Sequence, residues 1–313
     1  RGAAKIFCWP CAGRRPGDWP RPKSGLDCAA SRCNGNASRL TIKVGAERRR
    51  NITGSAMEKP ESIVARLVSL TAELGDPRND YAILGEGNTS ARIDGESFYV
   101  KASGAEMRSA DASSFTRVSF KKILAFLDGG PATDDGVGKA LLDAKLDSDS
   151  NPKKPSVETF IHAIALTLGR AAFVGHTHPV AVNAVLCSAK AREAFGGRLF
   201  PDEIVVCGPA YAFVPYTDPG LPLAIKVRGA IENHLRAHGE PPRVILMQNH
   251  GMIALGSSPG QVLMITAMMV KTARIIAGAY VMGGPAFLAV ESVNRIHTRP
   301  DELHRRKVLA DKG

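Results

Sequence analysis

The sequence predicts a mixed α/β domain, and three observations carry that reading. From residue 57 onward, short apolar runs of strand length alternate with longer stretches of helical period. Turn-forming Gly, Pro and Ser residues punctuate the alternation. The chain of 313 residues is 44% hydrophobic and 23% charged, enough to bury one large core and too apolar for a mostly disordered chain. Helices interleaved with strands must cover a sheet to bury their apolar faces, and the alternation by itself favours parallel strands.

The elements follow in order. Residues 61–74 place Ile63, Leu67, Leu70 and Leu74 on one helical face, with Gly75 as a natural stop. Residues 81–84 form a short apolar run. Residues 97–101 read as a strand and 118–127 as a helix, whereas the Asp-, Lys- and Ser-rich stretch 143–154 reads as an exposed loop. Residues 156–168 read as a helix with Ser156 as its cap and Glu158 in its first turn. A buried strand at 171–174 precedes a helix starting at Val180, and 204–206 reads as another strand. A long helix over 221–238 stops at Gly239, and 244–247 is a third buried strand. Ser258 and Pro259 then open a helix over 260–280, Ser as cap and Pro in the first turn. No internal boundary or repeat interrupts this body.

Residues 1–56 read differently. They hold both tryptophans, four of the six cysteines and the run Arg48-Arg49-Arg50, with no period long enough to bury a face. Twelve Lys and Arg against three Asp and Glu give this stretch +9 of the total +11, so the remainder is close to neutral at +2. That balance predicts no nucleic-acid partner for the body. Cys8 and Cys11 have knuckle spacing, but Cys28 and Cys33 are set too wide for a zinc ribbon. The stretch is expected to be a disordered leader, with the natural start at Met57. No run reaches the roughly 18 uninterrupted apolar residues of a membrane span; the nearest, 262–280, contains Lys271 and Arg274. No membrane partner and a cytoplasmic location are therefore expected, in keeping with only Cys187 and Cys207 in the body.

Three local patterns carry chemistry. In Gly175-His176-Thr177-His178-Pro179, at a strand end, residues i and i+2 of an extended chain face the same way, so both imidazoles reach one point. Gln248-Asn249-His250-Gly251 offers a third imidazole from a second strand end, where α/β folds bind ligands. Three histidines make a zinc set, and Glu158, eighteen residues before His176, is the acidic partner. His162, one helical turn beyond Glu158, reads as packing behind the site. Gly85-Glu86-Gly87-Asn88-Thr89-Ser90 and Ala102-Ser103-Gly104 have the glycines and polar groups that cradle an anion, and Ser156 adds a contact from a helix start.

Together these pieces resemble the class II aldolase/adducin family over residues 62–280. The matching residues are Gly87-Asn88-Thr89-Ser90, Ser103-Gly104, Ser156-Val157-Glu158, His176-Thr177-His178 and Asn249-His250-Gly251, and the wording is nearest the rhamnulose-phosphate aldolase-like branch. The resemblance implies a three-layer α/β/α domain over 57–313 with a central, mainly antiparallel sheet, in place of the parallel sheet favoured above. It implies a homotetramer with sites between neighbouring subunits. It assigns His176, His178 and His250 to zinc, Glu158 to proton transfer, and Asn88, Ser90, Ser103, Gly104 and Ser156 to the substrate phosphate.

The expected activity is a zinc-dependent aldolase cleaving a sugar phosphate or related hydroxy-ketone through a metal-stabilised enediolate. A pentulose-phosphate 4-epimerase, a dehydratase and a decarboxylase share the same metal set. A non-catalytic adducin-like interaction protein shares only the fold, and the intact histidines and glutamate weigh against it. The anion cradle weighs against a zinc hydrolase. Two departures stand out: Val157 takes the place of a second small hydroxyl residue before the glutamate, and no tyrosine stands near Phe200-Pro201, leaving Tyr211 and Tyr216 unaligned. Lys101 supplies charge for a phosphate or a carboxylate.

Overall fold

The computed structural model describes residues 58–130, 133–146 and 152–311. The expectations for residues 1–56 and for the middle of the 143–154 loop lie outside the described residues. Helix α1 (Pro60–Leu74) begins at a proline, whose missing N–H costs nothing in a first turn, and ends at Gly75. It buries Ile63, Leu67, Leu70 and Leu74 on one face, as its period requires.

Among the described residues seven strands form one sheet: β1 (Asn88–Arg92), β2 (Ser97–Lys101), β3 (Phe115–Ser119), β4 (Phe173–Thr177), β5 (Ala212–Val214), β6 (Val244–Met247) and β7 (Gly251–Gly256), in the order β3-β2-β1-β4-β7-β6-β5. Every neighbouring pair is antiparallel except β5 with β6. The parallel preference read from the alternation is thus corrected. Consecutive strands β1–β2 and β6–β7 are joined by short turns with no crossover helix, and a short turn forces the chain to reverse.

Side chains alternate across the sheet and separate two cores. Val174, Ile245, Met247, Ile253 and Leu255 pack against α2 (Phe120–Gly129), α3 (Asp134–Asp143), α4 (Thr159–Thr167) and α8 (Leu221–His238). Phe173, Val244, Leu246, Met252 and Ala254 face α1, α5 (Val180–Leu186), α7 (Pro201–Cys207) and α9 (Pro259–Val281). The architecture is therefore three layers, α/β/α. Short α6 (Ala191–Ala194) and the C-terminal α10 (Val290–Thr298) and α11 (Pro300–Asp311) complete the described α-helices. Helix α9 is long and apolar enough to span a bilayer, but here Val262, Ile265, Met269, Ala273 and Ile276 are buried in the second core.

Several boundaries differ from the sequence reading. The run at 204–206 is the interior of helix α7, where Pro201 fixes the first turn and Asp202 and Glu203 meet the positive helix end. The strand expected at 171–174 is displaced to Phe173–Thr177, because Arg170 turns in the left-handed region (φ 53°) before the chain straightens. The helix expected from Ser156 starts at Thr159, which leaves Glu158 at its N-cap. The helix expected at 118–127 begins at Phe120, after a strand the sequence reading does not contain. The helices α8 and α9 and the strand β6 fall where expected, with Gly239 left-handed (φ 73°) after α8 and the Ser258 hydroxyl accepting from the Gln261 N–H.

Leu67 is fully buried between the sheet and α9. Leu67→Ala should lower unfolding stability by about 2–5 kcal/mol, read as a fall in the denaturant midpoint at unchanged slope.

Candidate metal centre

Strand β4 lies at the middle of the sheet and all five of its residues are buried. Gly175 faces α1 and α9, where a Cβ would lie 2.7 Å from Val262. Alternation therefore sends His176 to the α4 side, opposite Asn88 of β1 and Ile253 of β7. The His176 Nδ1–H donates to the Met252 carbonyl at 3.0 Å, which leaves Nε2 with its lone pair. His178 sits just past the strand. Its backbone N–H is held by the Tyr81 carbonyl at 2.8 Å, and its Nδ1–H donates to the Glu86 carboxylate at 3.0 Å.

His250 arrives from the three-residue turn between β6 and β7, which closes because Asn249 accepts a left-handed backbone (φ 55°). The Asn183 amide donates to the His250 carbonyl at 3.0 Å. The three imidazoles stand edge to face, centroids 4.8, 5.0 and 5.1 Å apart. One ring nitrogen from each lies within 4.8 Å of the other two, and the Nε2 atoms of His176 and His178 are 3.0 Å apart.

Glu158 closes the cluster. One carboxylate oxygen lies 3.3 Å from His176 Nε2 and the other 3.2 Å from His250 Nε2. Burial raises the Glu158 carboxyl, but the charge and hydrogen bonds of His176 and His250 outweigh it and hold the group well below the ordinary carboxylate range. Burial lowers His176, and the Glu158 charge and hydrogen bond reverse that and raise it. His178 is pushed down to about 4 by burial and by repulsion from His176 and His250.

This donor set fits a cation. The Nδ1 atoms of His176 and His178 are committed as donors, so their Nε2 lone pairs face each other beside two carboxylate oxygens. Without a cation, a proton on His176 must separate those lone pairs. Three imidazoles and one carboxylate form a set that zinc takes, and the Nδ1 partners are the outer groups that orient metal-binding histidines.

Behind Glu158 runs a directed hydrogen-bond chain. The Ser90 hydroxyl donates to His162 Nδ1 at 2.7 Å, His162 Nε2–H donates to the Asn88 oxygen, and the Asn88 amide donates to Glu158 at 2.6 Å. Asn88 also donates to the Ser156 hydroxyl at 3.2 Å. Burial lowers His162 to about 3, with the His176 charge adding to it, so it stays neutral in this chain.

The structure thus brings His176, His178, His250, Glu158, Asn88 and Ser156 together, with Ser90 joined to them through His162. Ser103 and Gly104 form an exposed turn beside Ser156, set by pairing of Ala102 with Pro155 and by a left-handed Gly104 (φ 75°). Lys101 is buried under this turn, donates to the Ala105 carbonyl, and is pushed down to about 8 by burial against the pull of Glu158. Val157 is exposed. The Tyr211 hydroxyl is committed to Glu203 at 2.6 Å and that of Tyr216 to Asp218 at 3.0 Å.

Glu86, Asn183 and Gly251 have no site role in the sequence reading. A Cβ at Gly251 would lie 2.6 Å from both the Thr177 carbonyl and the His178 ring, so the glycine is what lets the turn approach β4. The sequence carries a signal for Gly251, which directly follows the candidate ligand His250. Asn183 carried no signal.

Residues 65–277 match the family described as the class II aldolase and adducin N-terminal domain. A curated relative from Bacillus subtilis (strain 168), the uncharacterized oxidoreductase YuxG, is 26% identical over 182 residues, covering 56% of this chain and 24% of its own. The chain thus spans about a quarter of that relative's length. The N-terminal class II aldolase domain of a conserved protein from Thermoplasma acidophilum shares the fold at 23% identity and a TM-score of 0.54, over 71% of this chain and 97% of that one. An L-fuculose 1-phosphate aldolase does so at 18% identity and a TM-score of 0.57, over 78% of this chain and 98% of that one.

Two outcomes follow from this geometry. Gly251→Ala should displace His178 and cost about 1–3 kcal/mol of stability, with weaker binding of added zinc measured by calorimetry. His162 is neutral in the fold and protonates readily when unfolded, near 6.5. It therefore stabilises the protein above about pH 6.5, and this contribution is lost as pH falls toward 3. His162→Gln should flatten that acid limb in denaturation curves taken from pH 7 to pH 4.

Proposed function

The chain belongs to the class II aldolase and adducin family, and on that premise we propose that it is a zinc-dependent lyase cleaving a sugar phosphate or related hydroxy-ketone. One observation carries the reading. The ring nitrogens of His176, His178 and His250 converge on a point that both oxygens of an ionised Glu158 also face. Zinc held by the three histidines supplies Lewis-acid polarisation of a carbonyl oxygen.

The other roles belong to the chain's own residues. Glu158 accepts and returns the proton at the carbon next to the substrate carbonyl. Its burial keeps competing water away. Asn88 holds one Glu158 oxygen, and the Ser90–His162 pair fixes which end of the Asn88 amide faces it. Ser156, Ser103 and Gly104, with the Lys101 ammonium behind them, receive the anionic end of the substrate. With Val157 exposed in place of a hydroxyl, a carboxylate suits this pocket as well as a phosphate. We infer a homotetramer for the assembled enzyme, with small molecules rather than nucleic acid or membranes as partners.

The test is a cleavage screen over ketose phosphates and their non-phosphorylated counterparts with zinc supplied, reading aldehyde release. Aldehyde production supports the lyase. Inversion at a carbinol carbon without cleavage would assign an epimerase instead, and full turnover by metal-stripped protein would end the reading. Glu158→Gln should keep zinc but slow hydrogen–deuterium exchange at the substrate carbon by about 100-fold or more, followed by NMR.

A further inference from the structure

Glu86 lies in the turn before β1, and its carboxylate does two things at once. One oxygen accepts the Ile83 N–H at 2.8 Å, and the other accepts His178 Nδ1–H at 3.0 Å. The turn is tight. Glu86 N–H bonds back to the Ile83 carbonyl at 3.2 Å, and Leu84 between them is left-handed (φ 52°), an uncommon state for a residue with a branched side chain. Gly87 follows at φ 70°, where a Cβ would lie 2.8 Å from the His176 carbonyl. The glycine lets the chain pass close over β4, and that passage sets Glu86 against His178.

We propose that Glu86 is a positioning residue for the metal centre, fixing His178 in the Nδ1–H form so that Nε2 is presented as a ligand. This rests on the metal-binding reading given above. The chemistry is specific to a carboxylate. Two N–H donors, Ile83 and His178, meet two acceptor oxygens, and among the described residues neither donor has a second hydrogen-bond acceptor. The negative charge also makes the imidazole a stronger donor through Nε2. A glutamine has one acceptor oxygen and one amide. If its oxygen faces Ile83, its amide faces His178 Nδ1, which must then accept, and the proton moves to Nε2, where it blocks ligation. Glu86 is thus a second carboxylate of the site with a task unlike that of Glu158. It touches no reacting atom and acts only through a ring.

The experiment has two arms on the full chain. In the first, zinc affinity is measured by competition with a chromophoric chelator for the wild type and for Glu86→Gln. The expected result is a dissociation constant raised 10- to 100-fold, and equal affinity would overturn the proposal. In the second, side-chain 15N shifts of the histidines are recorded on metal-free protein. The wild type should show His178 protonated at Nδ1 and bare at Nε2, and Glu86→Gln should shift it toward the opposite form. The opposite form in the wild type would overturn the proposal even if the variant failed to fold. A wild type that binds no zinc in the first arm would instead defeat the metal reading. The second arm would then still decide what Glu86 does to His178.

Discussion

The arrangement depends on one electrostatic constraint: four electron-rich groups are held within contact of each other inside a mostly buried site. Glu158 meets His176 and His250 at 3.3 and 3.2 Å, and His176 and His178 meet at 3.0 Å. Such crowding of lone pairs is unfavourable unless a positive charge sits among them. The surrounding fold supplies the restraint. Two imidazoles are tied through Nδ1 to a carbonyl and a carboxylate, and the third rides a hairpin turn closed by a left-handed Asn249. The rings of His176 and His178 are thereby kept from turning away to relieve the repulsion.

The sheet explains how residues so far apart in sequence reach one place. Antiparallel pairing sets Asn88 opposite His176 and brings β7 alongside, so β1, β4 and the β6–β7 turn present their side chains to the layer containing α4. Helix α4 begins at Thr159, which places Glu158 at its N-cap over the same spot. A carboxylate there benefits from the helix dipole as well as from the imidazoles.

Much of this was legible in the sequence where the information is local. The amphipathic run ending in Gly239 defines α8, and the i, i+2 spacing of His176 and His178 requires a shared face on an extended chain. The Asn-His-Gly triplet marks a tight approach because only glycine fits against Thr177. What was not legible depends on tertiary pairing. Strand β1 reads Asn-Thr-Ser-Ala-Arg, with no apolar alternation, and is buried because β2 and β4 flank it. The β-branched Ile204-Val205-Val206 imitates a strand, while Pro201 and the acidic first turn make it a helix. The bonds from Asn88 to Glu158 and from Glu86 to His178 join segments with no short-range pattern between them.

The chain from Ser90 through His162 and Asn88 to Glu158 points every donor the same way. To carry a proton outward it would have to flip an amide end over end in a packed interior and charge an imidazole that burial keeps neutral. The wall behind the glutamate therefore transmits a fixed dipole but is insulated against proton leakage. The other contacts of the carboxylate, the Nε2 atoms of His176 and His250, lie on the opposite side, so a proton on Glu158 can be shared only with those imidazoles or with whatever fills the open side.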